Sequence, residues 1–341
     1  TQRGLSVGAA EMKQEQFEAL HRKEWDDFED WLRTLSGSRR SVRREATERG
    51  SYPALYRRIC HHLALARARR YSTGLQQKLN HLALEGHQYL YRQQDRVLLG
   101  MARFLAYGFP RAVRDHGRYL FVSCLLFFAT GIVTGLALIW YPDLIFSIMS
   151  PGQVQEMEQM YDPANDTIGR DRDSGSDMVM FGYYIYNNIS IGFRTFAGGL
   201  LFGLGTVFFL VFNGLVIGSV ASHLTLAGYV ETFWGFVSGH SSFELIAIVL
   251  FGAVGLALGS RLIAPGRKAR WLAVRDQARE SLPVIYGATL MLLIAAFVEA
   301  FWSATTWPPV ELKYAVGLSL WALHIVYFTV FGRNESRKRH G

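Results

Sequence analysis

The stretch Tyr119–Trp140, YLFVSCLLFFATGIVTGLALIW, runs for 22 residues without one Asp, Glu, Lys or Arg. As a helix it rises about 33 Å, enough to cross the hydrocarbon core of a bilayer. It begins more than a hundred residues into the chain, which argues against a secretory signal peptide and for an integral membrane protein. Working outward, further apolar runs lie at roughly 195–221, 241–260, 283–304 and 314–331, each bounded by charge, proline or glycine. Between the second and third lies Ser222 to Gly239, aromatic-rich and carrying one full charge, Glu231.

The composition agrees with this reading. Of 341 residues half are hydrophobic, 14% are aromatic and only 19% are charged, against about a quarter in soluble domains. Two cysteines, Cys60 and Cys124, exclude a disulfide-rich scaffold.

Charge sets the expected orientation. Residues 1–118 hold 22 Lys or Arg against 13 Asp or Glu, with Arg111, Arg114 and Arg118 beside the first run. The segment 141–193 holds two Arg against eight acids, while 265–282 and the tail after Phe331 are basic again. Basic segments stay cytoplasmic, and five spans would leave 265–282 outside. The sequence therefore predicts six crossings with both termini inside, the sixth being Ser222 to Gly239 as a short span or a re-entrant pair of half-helices. The expected organisation is a cytoplasmic helical region over 1–116, an all-α transmembrane domain over 117–332 with an outer loop at 141–193, and a basic tail over 333–341. Gly198, Gly199, Gly203, Gly205, Gly214 and Gly218 in the second run suit close helix packing.

In the N-terminal region Phe17, Leu20, Trp25, Phe28, Trp31, Leu32 and Leu35 recur at helical spacing, which predicts an amphipathic helix. Two more helices are expected at about 53–71 and 76–109, around a polar segment with Arg39, Arg40, Arg43 and Arg44. This reads as a helical bundle whose basic excess faces anionic lipid. No zinc spacing, helix-turn-helix or ribonucleoprotein motif points to nucleic acid, and no phosphate-binding loop points to ATP hydrolysis by the chain itself.

Four pieces in order, Leu79-Asn80-His81-Leu82 with Gly86-His87 and Leu90-Tyr91-Arg92, Asn187-Asn188-Ile189 leading to Phe196-Ala197-Gly198-Gly199 and Phe212-Asn213-Gly214, His240-Ser241-Ser242-Phe243-Glu244-Leu245, and Val298-Glu299-Ala300-Phe301, resemble the stage II sporulation protein M family. The resemblance implies a bacterial inner-membrane protein with an ABC-2 permease-like helical domain. The sporulation member works with peptidoglycan-degrading partners, and relatives in non-sporulating bacteria stand beside MoxR-type ATPases and transglutaminase-like membrane proteins. The long N-terminal region resembles that second branch.

Charged groups within a membrane mark candidate sites. His240 and Glu244, four residues apart, share one helix face and suit a proton relay, a headgroup contact, a gate or a helix cap. Glu299 lies near the outer end of its run, and Arg194, expected at the outer start of the second span, is the nearest cation for either acid. Asn213 and His324 read as interhelical hydrogen bonds. Adjacent His61 and His62 face different sides of a helix, and the acids of the outer loop lack the calcium-loop order, so no metal and no cofactor is expected. Serines beside His240 without a nucleophile elbow make an intramembrane hydrolase the weaker reading. The expected function is a non-catalytic scaffold or regulatory subunit of a peptidoglycan-remodelling assembly, homodimeric, in contact with lipid and with an envelope hydrolase or MoxR-type ATPase. The alternative is a permease-like subunit that moves a lipid or glycan with a separate ATPase.

Overall fold

The computed structural model describes residues 12–36, 52–165, 177–305 and 307–333. It is 87% helical, with no strand among the described residues, and divides into two compact units at Met101 and Ala102. The Arg39–Arg44 cluster, Asp166, Asp171 and Asp173 of the outer loop, and the tail beyond Arg333 fall outside the described residues.

The first unit contains α1 (Gln14–Ser36), α2 (Tyr52–Ala68) and all but the last two residues of α3 (Thr73–Arg103). Their apolar stripes meet in a core around Phe17, Trp25, Phe28, Ile59, Leu79 and Leu82. Leu20, on the predicted stripe, stays exposed. His61 points outward and His62 inward, as adjacent positions on a helix must. The Trp25 indole N–H donates to His62 Nδ1 at 3.1 Å; an indole only donates, so that nitrogen is unprotonated. Burial first, then the neighbouring His21, pushes the His62 pKa down to about 4, in keeping with the neutral ring that this bond requires.

The second unit opens with α4 (Phe109–Asp115) and continues into α5 (Gly117–Trp140), α6 (Pro151–Met160), α7 (Asp177–Ala197), α8 (Leu204–Leu226), α9 (Val230–Ser238), α10 (Ser241–Ile263), α11 (Arg270–Ser303) and α12 (Val310–Val330). Five of these, α5, α8, α10, α11 and α12, are long and apolar enough to cross a membrane. The helix α10 is buried from Ala247 to Leu258 except at half-buried Leu256, because Ala247, Gly252, Gly255 and Ala257 let neighbours approach it closely. It is the axis of the bundle.

Helix directions identify the remaining traverse. Gly131 of α5 lies against Gly214 of α8, and Gly135 against Gly218, so the two helices run parallel. A return between them is required, and α7 supplies it. Met180 and Tyr184 pack with Ala296 and Ala300 near the end of α11, whereas Gly192, nearer the other end of α7, meets Phe251 and Leu292. The 21 residues of α7 rise about 31 Å, whereas the nine residues of α9 rise about 14 Å and are too short to cross. Ser222 to Gly239 is therefore not the sixth crossing. It is the end of α8 and a short helix, with Phe233 stacked edge-on with Tyr161 and Thr232 donating to the Tyr161 carbonyl. The expected outer loop ends at Asp177 rather than at residue 193. The parity is unchanged, and six traverses leave the start of α5 and the end of α12 at one end of the bundle.

That end also gathers the basic segments. Arg114 donates to Phe328 O at 2.9 Å, Tyr119 OH meets Ser260 Oγ at 2.6 Å, and Arg261 donates to Gln277 at 3.1 Å. We refer to it as the basic end and to the opposite one, with α6 and α9, as the loop end.

The second span also starts later than expected. Between α7 and α8 the chain turns in six residues at the basic end, with Phe202 at φ 54° and Gly203 at φ 84°; Gly203 takes that left-handed angle without a Cβ penalty. The glycines of the run face backbone. A Cβ at Gly199 would land on Gly255 O, one at Gly214 on Phe127 O and one at Gly218 on Gly131 O.

Candidate functional site at the loop end

Three polar residues converge beside the first turn of α10. His240 precedes the helix and Glu244 lies in its first turn, one turn apart, with Nε2 and Oε2 at 3.9 Å. Glu299 reaches them from α11, where the backbone changes to a wider π-type turn over Glu299–Ser303. Such turns insert an extra residue into a helix and recur at functional sites. One ligand-capable atom each of His240, Glu244 and Glu299 lies within 4.8 Å of the other two.

Neighbours hold this group in place. His240 is 5% exposed; its Nδ1 lies 3.0 Å from Ser303 Oγ, and Phe236 packs edge-on against the ring. Gly239 provides the space, since a Cβ there would strike the Trp302 ring. Asn188 of α7, buried, donates to Glu299 Oε2 at 3.4 Å, and Asn187 donates to Asn188 Oδ1 at 3.0 Å. Lys313, only 3% exposed, donates to the carbonyls of Ser303 at 3.0 Å and Thr305 at 2.6 Å. It thereby fastens the segment that carries Ser303.

The arrangement joins Glu299 to His240 and Glu244, which the sequence singled out as a pair apart from it. It does not include Arg194, which sits exposed in the last turn of α7, nearer the basic end, because α7 is a crossing and not an outer loop. Asn213 donates to Phe209 O of its own helix and His324 Nδ1 meets Leu320 O of its own helix, so the interhelical bonds expected of them are replaced by bonds within one helix. Asn188, Ser303 and Lys313 were missed as site residues; the Asn187–Asn188 pair in an otherwise apolar and aromatic segment was the available signal. Chemically, two carboxylates and an imidazole so close together can share protons, bind a cation or hold a polar group.

Comparison with known proteins places this geometry. The family model described as stage II sporulation protein M matches residues 124–304, and one described as a domain of unknown function, DUF8413, matches residues 15–92. The uncharacterized protein MJ0793 of Methanocaldococcus jannaschii is 25% identical over 118 residues, which is 34% of this chain and 66% of that relative, just under two thirds of its length. No solved structure matches. Since the first match covers just over half of the chain and contains His240, Glu244, Glu299 and Asn188, the protein belongs to the stage II sporulation protein M family.

Proposed function

We propose that the chain is a non-catalytic scaffold or regulatory subunit of a cell-envelope assembly, seated in a cytoplasmic membrane with its basic end in the cytoplasm. One observation carries the reading: a helical unit with its own core precedes a six-traverse bundle whose basic segments share one end. Basic segments favour the cytoplasmic side, so the N-terminal unit is available there to a soluble partner while the bundle contacts lipid. By the family resemblance that partner is a MoxR-type ATPase, with an envelope hydrolase engaged across the membrane. The bundle works as a homodimer, for which the exposed apolar faces of α5 and α12 offer surface.

A permease-like subunit of ABC-2 type is the second reading, favoured by the polar group of His240, Glu244 and Glu299 within the bundle. A single experiment separates the two: native purification of the tagged full chain in mild detergent, with mass spectrometry of what accompanies it. The scaffold reading expects a hydrolase or MoxR-type ATPase in stoichiometric amount, eluting with two copies of the chain. Co-purification of a nucleotide-binding transport ATPase would replace it with the permease reading, and the chain alone with lipid would remove both.

A further inference from the structure

We infer that His240, Glu244 and Glu299 form a binding site for a divalent transition-metal ion of the zinc class, with an open coordination position facing the loop end. Three atoms mutually within 4.8 Å leave a point at most about 2.8 Å from each, and zinc bonds to nitrogen and oxygen are about 2.0–2.2 Å. Side-chain shifts of about 0.6 Å close that gap. Two donors come from one helical turn at i and i+4 and the third from a neighbouring helix, so a single packing contact between α10 and α11 completes the set.

Charge favours the same occupant. Two carboxylates this close, partly withdrawn from water, repel each other unless a proton or a cation lies between them. A divalent ion with two carboxylates and a neutral imidazole is charge-balanced, which suits a low-dielectric setting. The neighbouring hydrogen bonds are those that metal ligands use. An Nδ1–H donated to Ser303 Oγ leaves the Nε2 lone pair of His240 on the side of Glu244, and Asn188 orients Glu299. Three protein ligands leave the fourth tetrahedral position to water, and the Glu244 side chain keeps 18% of its surface exposed, giving the ion a path in.

A second group, His21, Glu24 and His62, has similar spacing, but His62 spends its Nδ1 on Trp25. It serves as the internal control. The test uses the full chain in detergent, stripped with a chelator and equilibrated with zinc chloride alone. The inference expects one zinc ion per chain retained through dialysis, a raised melting midpoint, and an X-ray absorption spectrum of one imidazole with oxygen ligands. Glu244→Gln and Glu299→Gln should each weaken binding at least about 100-fold and Asn188→Leu about 10-fold, with elution profile and helix content unchanged. No retained zinc in the wild-type chain overturns the inference, as does binding undiminished in both glutamine variants or a spectrum with two imidazoles. The spectrum is taken on the wild-type chain and so decides the matter even where a variant fails to fold.

Discussion

Gly199→Val should destabilise the membrane unit by about 3 kcal/mol or more, at the upper end of what overpacking costs. The new Cβ would land on Gly255 O, and backbone cannot swing aside as a side chain does. The approach is tight from both sides, because a Cβ on Gly255 would itself strike Thr206 Oγ1, the Thr195 carbonyl and the Phe196 Cα. Helix α7 must then part from α10 just above the turn that launches α8, and the parallel pairing of α8 with α5 loses its anchor. A lowered melting midpoint in detergent, with early elution as aggregate, is the expected readout. Gly182→Ala, within α7 and with nothing within 4 Å of its Cβ, should be neutral or stabilising by up to about 1 kcal/mol, as alanine is the better helix former. Equal effects at the two positions would show that α7 and α10 do not meet as described.

Lys313→Met keeps the length and apolar stem of the side chain and deletes its three donors. The carbonyls of Ser303 and Thr305 then lose the bonds that Lys313 makes to them. The Ser303 carbonyl is buried whereas Thr305 is exposed and its carbonyl can turn to water, and one unpaired buried acceptor costs about 1–3 kcal/mol, so the variant should lose roughly 1–3 kcal/mol. The same change frees the segment carrying Ser303, whose hydroxyl contacts His240, so the loop-end site should loosen before the bundle melts. Hydrogen exchange read peptide by peptide checks this: residues 299–305 should lose protection first, with α10 following. Unchanged exchange there would mean that Lys313 is a surface group that merely folds back.

The five apolar crossings were legible because each is an uninterrupted run bounded by charge or proline. The sixth was not. In α7 the residues Tyr183, Tyr184, Tyr186, Asn187 and Asn188 lower the mean hydropathy, although Asn188 points inward to Glu299 and so costs the membrane nothing. Conversely, Ser222 to Gly239 reads as a span because its aromatic residues are many, yet Phe233 and Phe236 are spent on Tyr161 and the loop-end core. Charge parity demanded one more crossing and the apolar-run reading placed it in the wrong segment; the placement of Arg194 followed that error. At the site, the i, i+4 spacing made His240 and Glu244 visible as a pair. Glu299 lies 55 residues from Glu244 in sequence and joins them through the antiparallel packing of α10 on α11, which no local pattern encodes. Lys313 was passed over because a lysine at the start of an apolar run looks like a boundary, whereas here it is buried against two carbonyls.

Helix α7 crosses and Ser222 to Gly239 does not, which puts the turn between α7 and α8 at the basic end and Gly228 at the loop end. Single cysteines at Leu201, Gly228, Asp162 and Gly266, in a chain whose Cys60 and Cys124 are replaced, test it with a membrane-impermeant maleimide. The account predicts that Gly228→Cys labels from the same side as Asp162→Cys, and that Leu201→Cys labels only from the side that reaches Gly266→Cys. Labelling of Leu201→Cys together with Asp162→Cys, and of Gly228→Cys together with Gly266→Cys, would contradict it.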